Sequence, residues 1–144
     1  MKLSVRDKVR MTFVLRDMPH YCDKEKNQIG ATLPGGELLF EIGPDQVECR
    51  FIYKRKLSPE KREAVLTYLN YKKSPEWEGE FEMDEEGTVS YRICTDMSET
   101  KDVEFGRLAF MKIAAIKIGE ETAETMCRIA EGEVTAEDLC QKDS

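Results

Sequence analysis

Histidine is almost missing from this chain: His20 is the only one among 144 residues. A site built from several histidine ligands, or a zinc helix with two of them, is therefore excluded within one copy. No Walker A loop, dinucleotide-type glycine pattern or G-x-S-x-G elbow is present, and Gly35-Gly36 reads as a turn. The five cysteines, Cys22, Cys49, Cys94, Cys127 and Cys140, are scattered, odd in number and never spaced as CxxC. They read as free thiols packed as small hydrophobes in a reducing compartment, not as a disulfide framework. No apolar run approaches the roughly 20 residues that span a bilayer. The start, MKLSVRDKVRMTFVLRDM, is broken by charge every few residues and lacks the apolar region of a signal peptide. The expectation is a cytoplasmic protein without membrane insertion and without metal or cofactor.

What is present is an ordinary globular composition, 40% hydrophobic and 35% charged. A chain of this length buries roughly 70% of its unfolded surface, enough for one core. A single domain, 1–144, is expected: an N-terminal helix and loop (1–28), an α+β core (29–131) and a tail or short helix (132–144). The net charge is −7, and it is unevenly placed. No basic residue lies between Lys73 and Arg92, whereas Glu76, Glu78, Glu80, Glu82, Asp84, Glu85 and Glu86 do. Such an acidic chain is a poor ligand for nucleic acid, whose phosphates repel it. A neutral or basic partner is the simpler expectation.

Ser4 can cap a first helix carrying Val5, Val9 and Phe13 on one face and ending near Met18, before Pro19. Residues 21–28 are polar and read as loop. Ile29–Leu33 and Glu37–Ile42 read as strands, and Gln46–Lys54 alternates with Val47, Cys49, Phe51 and Tyr53 on one side. Ser58-Pro59 opens a helix, the serine hydroxyl accepting a free amide and proline occupying the first turn. Its apolar face is Ala64, Val65, Tyr68 and Leu69. A hairpin follows, with Phe81 and Met83 inward on one strand and Val89, Tyr91 and Ile93 on the other, turned by Gly87 at positive φ. A last long helix is expected from about Thr100–Asp102 to Glu131. It is apolar almost all round between Leu108 and Ile118, interrupted by Lys112 and Lys117, and Gly132 suits its end. Thr135 is placed to cap one more turn over Leu139. Strands arriving in hairpins argue an α+β fold: an antiparallel sheet of about five strands backed by helices, in the order α-β-β-β-α-β-β-α.

The helix ending in Asn70-Tyr71, the hairpin words Gly79-Glu80-Phe81-Glu82-Met83-Asp84, Gly87 and Val89-Ser90-Tyr91-Arg92-Ile93, and the buried helix after them resemble the YbjN-type bacterial domain. The resemblance covers roughly residues 30–131 in element order, and about 35 residues carry the wording. It implies the type III secretion chaperone-like fold and a non-enzymatic, regulatory or chaperone-like role. This chain differs in a longer linker holding Pro75 and Trp77, and in Gly119-Glu120-Glu121 on the last helix.

Several groups offer chemistry. His20-Tyr21-Cys22 could pair a thiolate with an imidazole in a small enzyme, with nearby carboxylates. The acidic run could attract a hard cation, but Glu78, Glu80, Glu82 and Asp84 are spaced by two, along a strand face and not around a point. Arg6, Lys8, Arg10 and Arg16 on the first helix could meet a membrane or an acidic partner, although Asp7 and Asp17 dilute them. Trp77, Phe81, Tyr91 and Phe110 are the contact candidates for another protein or a second copy of the chain, docking on the sheet face or against the long helix.

Overall fold

A computed structural model describes residues 2–73 and 77–135. Helix α1 spans Val5–Val14, and the Ser4 hydroxyl accepts the Asp7 amide at 3.1 Å, as expected of its cap. The helix stops four residues sooner than Pro19 alone suggests. Asp17 takes the left-handed φ of 51°, and the Asp17 and Met18 amides return to the Val14 and Phe13 carbonyls. That closure ends a helix whatever follows it.

Residues 21–28, expected to be loop, contain a strand. β1 (Tyr21–Asp23) pairs antiparallel with β2 (Gln28–Thr32) through a turn in which Asn27 has φ 53° and the Asp23 carboxylate accepts the Lys26 amide. β1 buries neither face, so it carries no alternation to read. β3 (Gly36–Ile42) and β4 (Gln46–Lys56) follow, then α2 (Pro59–Lys72), the hairpin β5 (Glu80–Met83) and β6 (Thr88–Asp96), and α3 (Phe105–Ala130). Among the described residues six strands form one antiparallel sheet in the order β1-β2-β3-β4-β6-β5. The α+β class therefore holds, with one strand more than expected.

Register sorts the side chains into rows. Leu38, Phe51, Tyr91 and Phe81 lie opposite one another across four strands, and Ile29, Phe40, Cys49 and Ile93 make the next row. All point into a single core shared with Val9 and Phe13 of α1, Val65 and Leu69 of α2, and Leu108, Met111 and Met126 of α3. Each such side chain contributes roughly 1.5–3 kcal/mol by leaving water. α3 approaches β4 so closely that a Cβ on Gly119 would stand 2.2 Å from the Phe51 ring. Among the described residues the opposite face carries Glu48, Arg50 and Arg92 and no row packed on a helix.

Two helix starts differ from expectation. Ser58 makes no side-chain cap to α2; only its carbonyl takes the Lys61 amide. α3 begins after Thr100–Asp102 because Lys101 turns left-handed (φ 56°) and Asp102 is committed to Lys8 at 2.8 Å. Gly132 does close α3, at φ 81°, with the Gly132 and Glu133 amides on the Ile129 and Arg128 carbonyls. The expected turn over Leu139 falls outside the described residues. Gly87 takes φ 90° as its turn requires. No helix among the described residues is long and apolar enough to cross a membrane.

Candidate functional site

The open face of the sheet is ionic and closed upon itself. Register sets Arg50 directly opposite Arg92, a repulsive pair in isolation. Glu48 accepts from both, with Arg92 at 2.8 Å, and Glu82 accepts from Arg50, also at 2.8 Å. Burial pushes the Glu48 carboxyl up, but the Arg92 hydrogen bond and the Arg50 charge outweigh it and hold it below its ordinary value of 4.5. The acidic hairpin is thus not unopposed. Glu78 pairs with Arg107 of α3, Glu86 with Lys56 of β4, and the Asp84 carboxylate accepts the Glu86 and Thr88 amides that build the turn. Arg107 and Lys56 come from other elements, which a reading of the local sequence misses.

The sequence candidates separate into two pairs. Phe81 and Tyr91 are core, 8% and 0% exposed, their rings tilted against each other at 5.0 Å between centroids, and the Tyr91 hydroxyl is spent on the Glu78 carbonyl. They offer nothing to a partner; alternation had already turned them inward. Trp77 and Phe110, by contrast, are brought together. Trp77 is half-buried against the core edge, and both line one 280 Å³ depression with Ile113 and Lys117. Arg107 organises this edge. Its guanidinium grips both Glu78 oxygens beside Trp77, donates to Thr95 Oγ1 at 2.7 Å, and lies 5.6 Å over the Phe110 ring. Those hydrogen bonds hold the Glu78 carboxyl below its usual range.

A larger groove of about 630 Å³ runs along the other flank of α3, between it and the end of α1. Leu15, Met18, Phe105, Ile113 and Ile116 form its apolar lining. Leu15 is 63% exposed and Ile113 51%, and Val14, Phe105 and Phe110 on the same helices are also exposed. Ile113 belongs to both depressions and joins them into one surface. The sequence signal was available: Gly106, Phe110, Ile113 and Lys117 follow helical spacing, and all four are exposed. Reading the helix as apolar all round hid it.

Lys112 lies beneath the groove, 3% exposed. Its ammonium donates to the Thr12 carbonyl, one of the free carbonyls that end α1, and stands 4.9 Å over the Phe13 ring. Burial, and then the charge of Arg16, push its pKa below the ordinary lysine value.

The Cys–His pair is not assembled. The His20 ring stacks on Phe13 at 5.2 Å with Nδ1 3.1 Å from the Met18 carbonyl, Cys22 is exposed on β1, and no hydrogen bond joins them. Cys22, Cys49, Cys94 and Cys127 are all free thiols; Cys140 lies outside the described residues. Among the described residues no three His, Cys, Asp or Glu side chains gather as metal ligands. A further depression of about 530 Å³ beside β4 is lined by residues that include Tyr53, Lys54, Glu120, Glu124 and Cys127. The Tyr53 hydroxyl there is committed to Thr122.

A scan of protein-family models finds no match, and neither does a search of curated proteins. Among solved structures there is a similar one. The fold is similar to that of YbjN. The likeness to that crystal structure, of a candidate transcription regulator from E. coli, covers 88% of this chain and 90% of that one, at 14% identity and a TM-score of 0.49. At those values it concerns the arrangement of elements alone. The work attributed to YbjN stays with YbjN.

Proposed function

We propose that this protein is a non-enzymatic binding module of the cytoplasm, chaperone-like or regulatory, that docks another protein on the exposed face of α3. The observation that carries this reading is the clustering of exposed large apolar side chains. Val14, Leu15, Phe105, Phe110 and Ile113 lie on two adjacent helices, flanked by Trp77, while the sheet's open face is charged and internally paired. Contiguous exposed apolar surface of this type marks an interaction site, and aromatic residues at its centre supply affinity. The sheet face, equally open to docking by expectation, is the weaker choice because its charges already satisfy one another.

Capture from an extract of the source cell tests the reading. Ile113→Asp places a charge at the centre of the surface without touching the core. Its thermal midpoint should stay near that of the unchanged protein, and the partners retained by the unchanged chain should be lost. Equal retention by both would refute the reading. A second copy of the chain on this surface would appear as a doubled mass in light scattering, returned to monomer by the same substitution.

A further inference from the structure

The groove between α1 and α3 has a charge pattern opposite to that of the whole molecule. The chain carries −7, yet the groove is lined by Arg16, Lys112 and Lys117 against a single carboxylate, Glu120. On the open sheet face, by contrast, Arg50 and Arg92 each hold a carboxylate, and Arg107, Lys8 and Lys56 do as well. Among the described residues Arg16 and Lys117 hold none, and Lys112 is bonded only to a backbone carbonyl. Three cations around an apolar floor, against one carboxylate in a chain of net charge −7, form an incomplete half of a recognition surface.

We infer that the groove receives an acidic amphipathic helix of a partner protein. Its apolar face would lie on Leu15, Phe105, Ile113 and Ile116, and its carboxylates would meet Arg16 and Lys117 at the two rims. This rests on the reading of α3 as the docking face and specifies the chemistry of what docks there. A helix fits because the floor is itself a cleft between two helices, which receives apolar anchors at i, i+3, i+4 and i+7. Arg16 is suited to grip a carboxylate with two parallel hydrogen bonds. Lys112, beneath the floor, adds positive potential that water screens little. The −7 of the whole molecule acts in the other sense at a distance, so selectivity arises at contact and long-range steering does not assist it.

The test uses the full chain and a designed probe: a fluorescent helical peptide of about five turns with leucine on one face and glutamate on the other. A second peptide has every glutamate replaced by lysine. Fluorescence anisotropy should show saturable binding of the glutamate peptide, at least about tenfold tighter than the lysine peptide, weakening as salt rises and screening shortens. The double variant Arg16→Glu, Lys117→Glu should invert the preference while its thermal midpoint stays near that of the unchanged chain, since neither side chain is core. Equal binding of the two peptides, or a preference untouched by the double variant, overturns the inference. So does binding of anionic lipid vesicles in place of the peptide. Failure here is distinguishable from failure of the broader reading. If Ile113→Asp abolishes capture of the cellular partner while the double variant retains it in full, α3 is the docking face and its occupant is not acidic. If Ile113→Asp changes nothing, the docking face itself is wrong.

Discussion

The two faces of this molecule handle charge and apolar surface in opposite ways. On the open face of the sheet, Arg50 and Arg92 would repel, and Glu48 and Glu82 are interleaved so that each charge has a partner. The helical face leaves Leu15, Phe110 and Ile113 in water and Arg16 and Lys117 without an anion among the described residues. Both are polar–apolar mosaics, and composition does not separate them. Completion does. A face whose groups already satisfy one another gains little from a partner, because every new contact must first break an old one. A face with exposed apolar area and unmatched charge has that free energy still to gain.

The largest expected effect separates core from surface among residues that look alike in sequence. Tyr91→Ala should cost about 3–5 kcal/mol, since it empties a fully buried position. Phe110→Ala should change stability by less than about 1 kcal/mol, because the ring is 48% exposed. Denaturant unfolding of the two variants checks the contrast, and equal costs would erase it.

Next is the seat of α3 on the sheet. Gly119→Ala improves helix propensity by about 1 kcal/mol. The new methyl would nonetheless meet the Phe51 ring, and overpacking costs about 1–3 kcal/mol, so the variant should be less stable. A raised thermal midpoint would show that α3 sits farther from β4 than described.

The open face can be tested through pH. Glu48→Gln should cost about 1–3 kcal/mol at neutral pH, by removing the carboxylate that separates two arginines. The folded pKa of Glu48 lies below its ordinary 4.5, so its stabilisation is fully present above 4.5 and is lost as pH falls through the folded value. The gap between the unchanged chain and the variant should therefore close on acidification. A gap constant down to pH about 2 would mean that the network contributes nothing as a charge network.

The last effect is read mainly in binding: Trp77→Ala should leave the fold intact and weaken partner capture. Its ring packs at the core edge, next in the chain to the Glu78 that Arg107 grips. Loss of the fold would place Trp77 with the core and against the surface account.

Much of the fold could be read directly from the residues. Strict alternation marked β4 and β6, and Ser4, Gly87 and Gly132 announced their caps and turn, because each signal is local. β1 escaped because an edge strand of three residues buries no side. Tyr91 and Phe81 have the aromatic character of contact residues, but alternation along their strands turns both inward. The pairing of the acidic hairpin is invisible locally because Lys56, Arg50 and Arg107 reach it from other elements. Lys112 looked like an interruption of an apolar helix, and its bond to the Thr12 carbonyl depends on a packing no local pattern encodes.

Site-specific photo-cross-linking in the source cell tests the central claim most directly. A benzophenone side chain is carried at position 110 on α3 in one strain and at position 39 on the open sheet face in another. The account predicts a cross-linked partner from position 110 and none from position 39. A partner trapped from position 39 alone would contradict it.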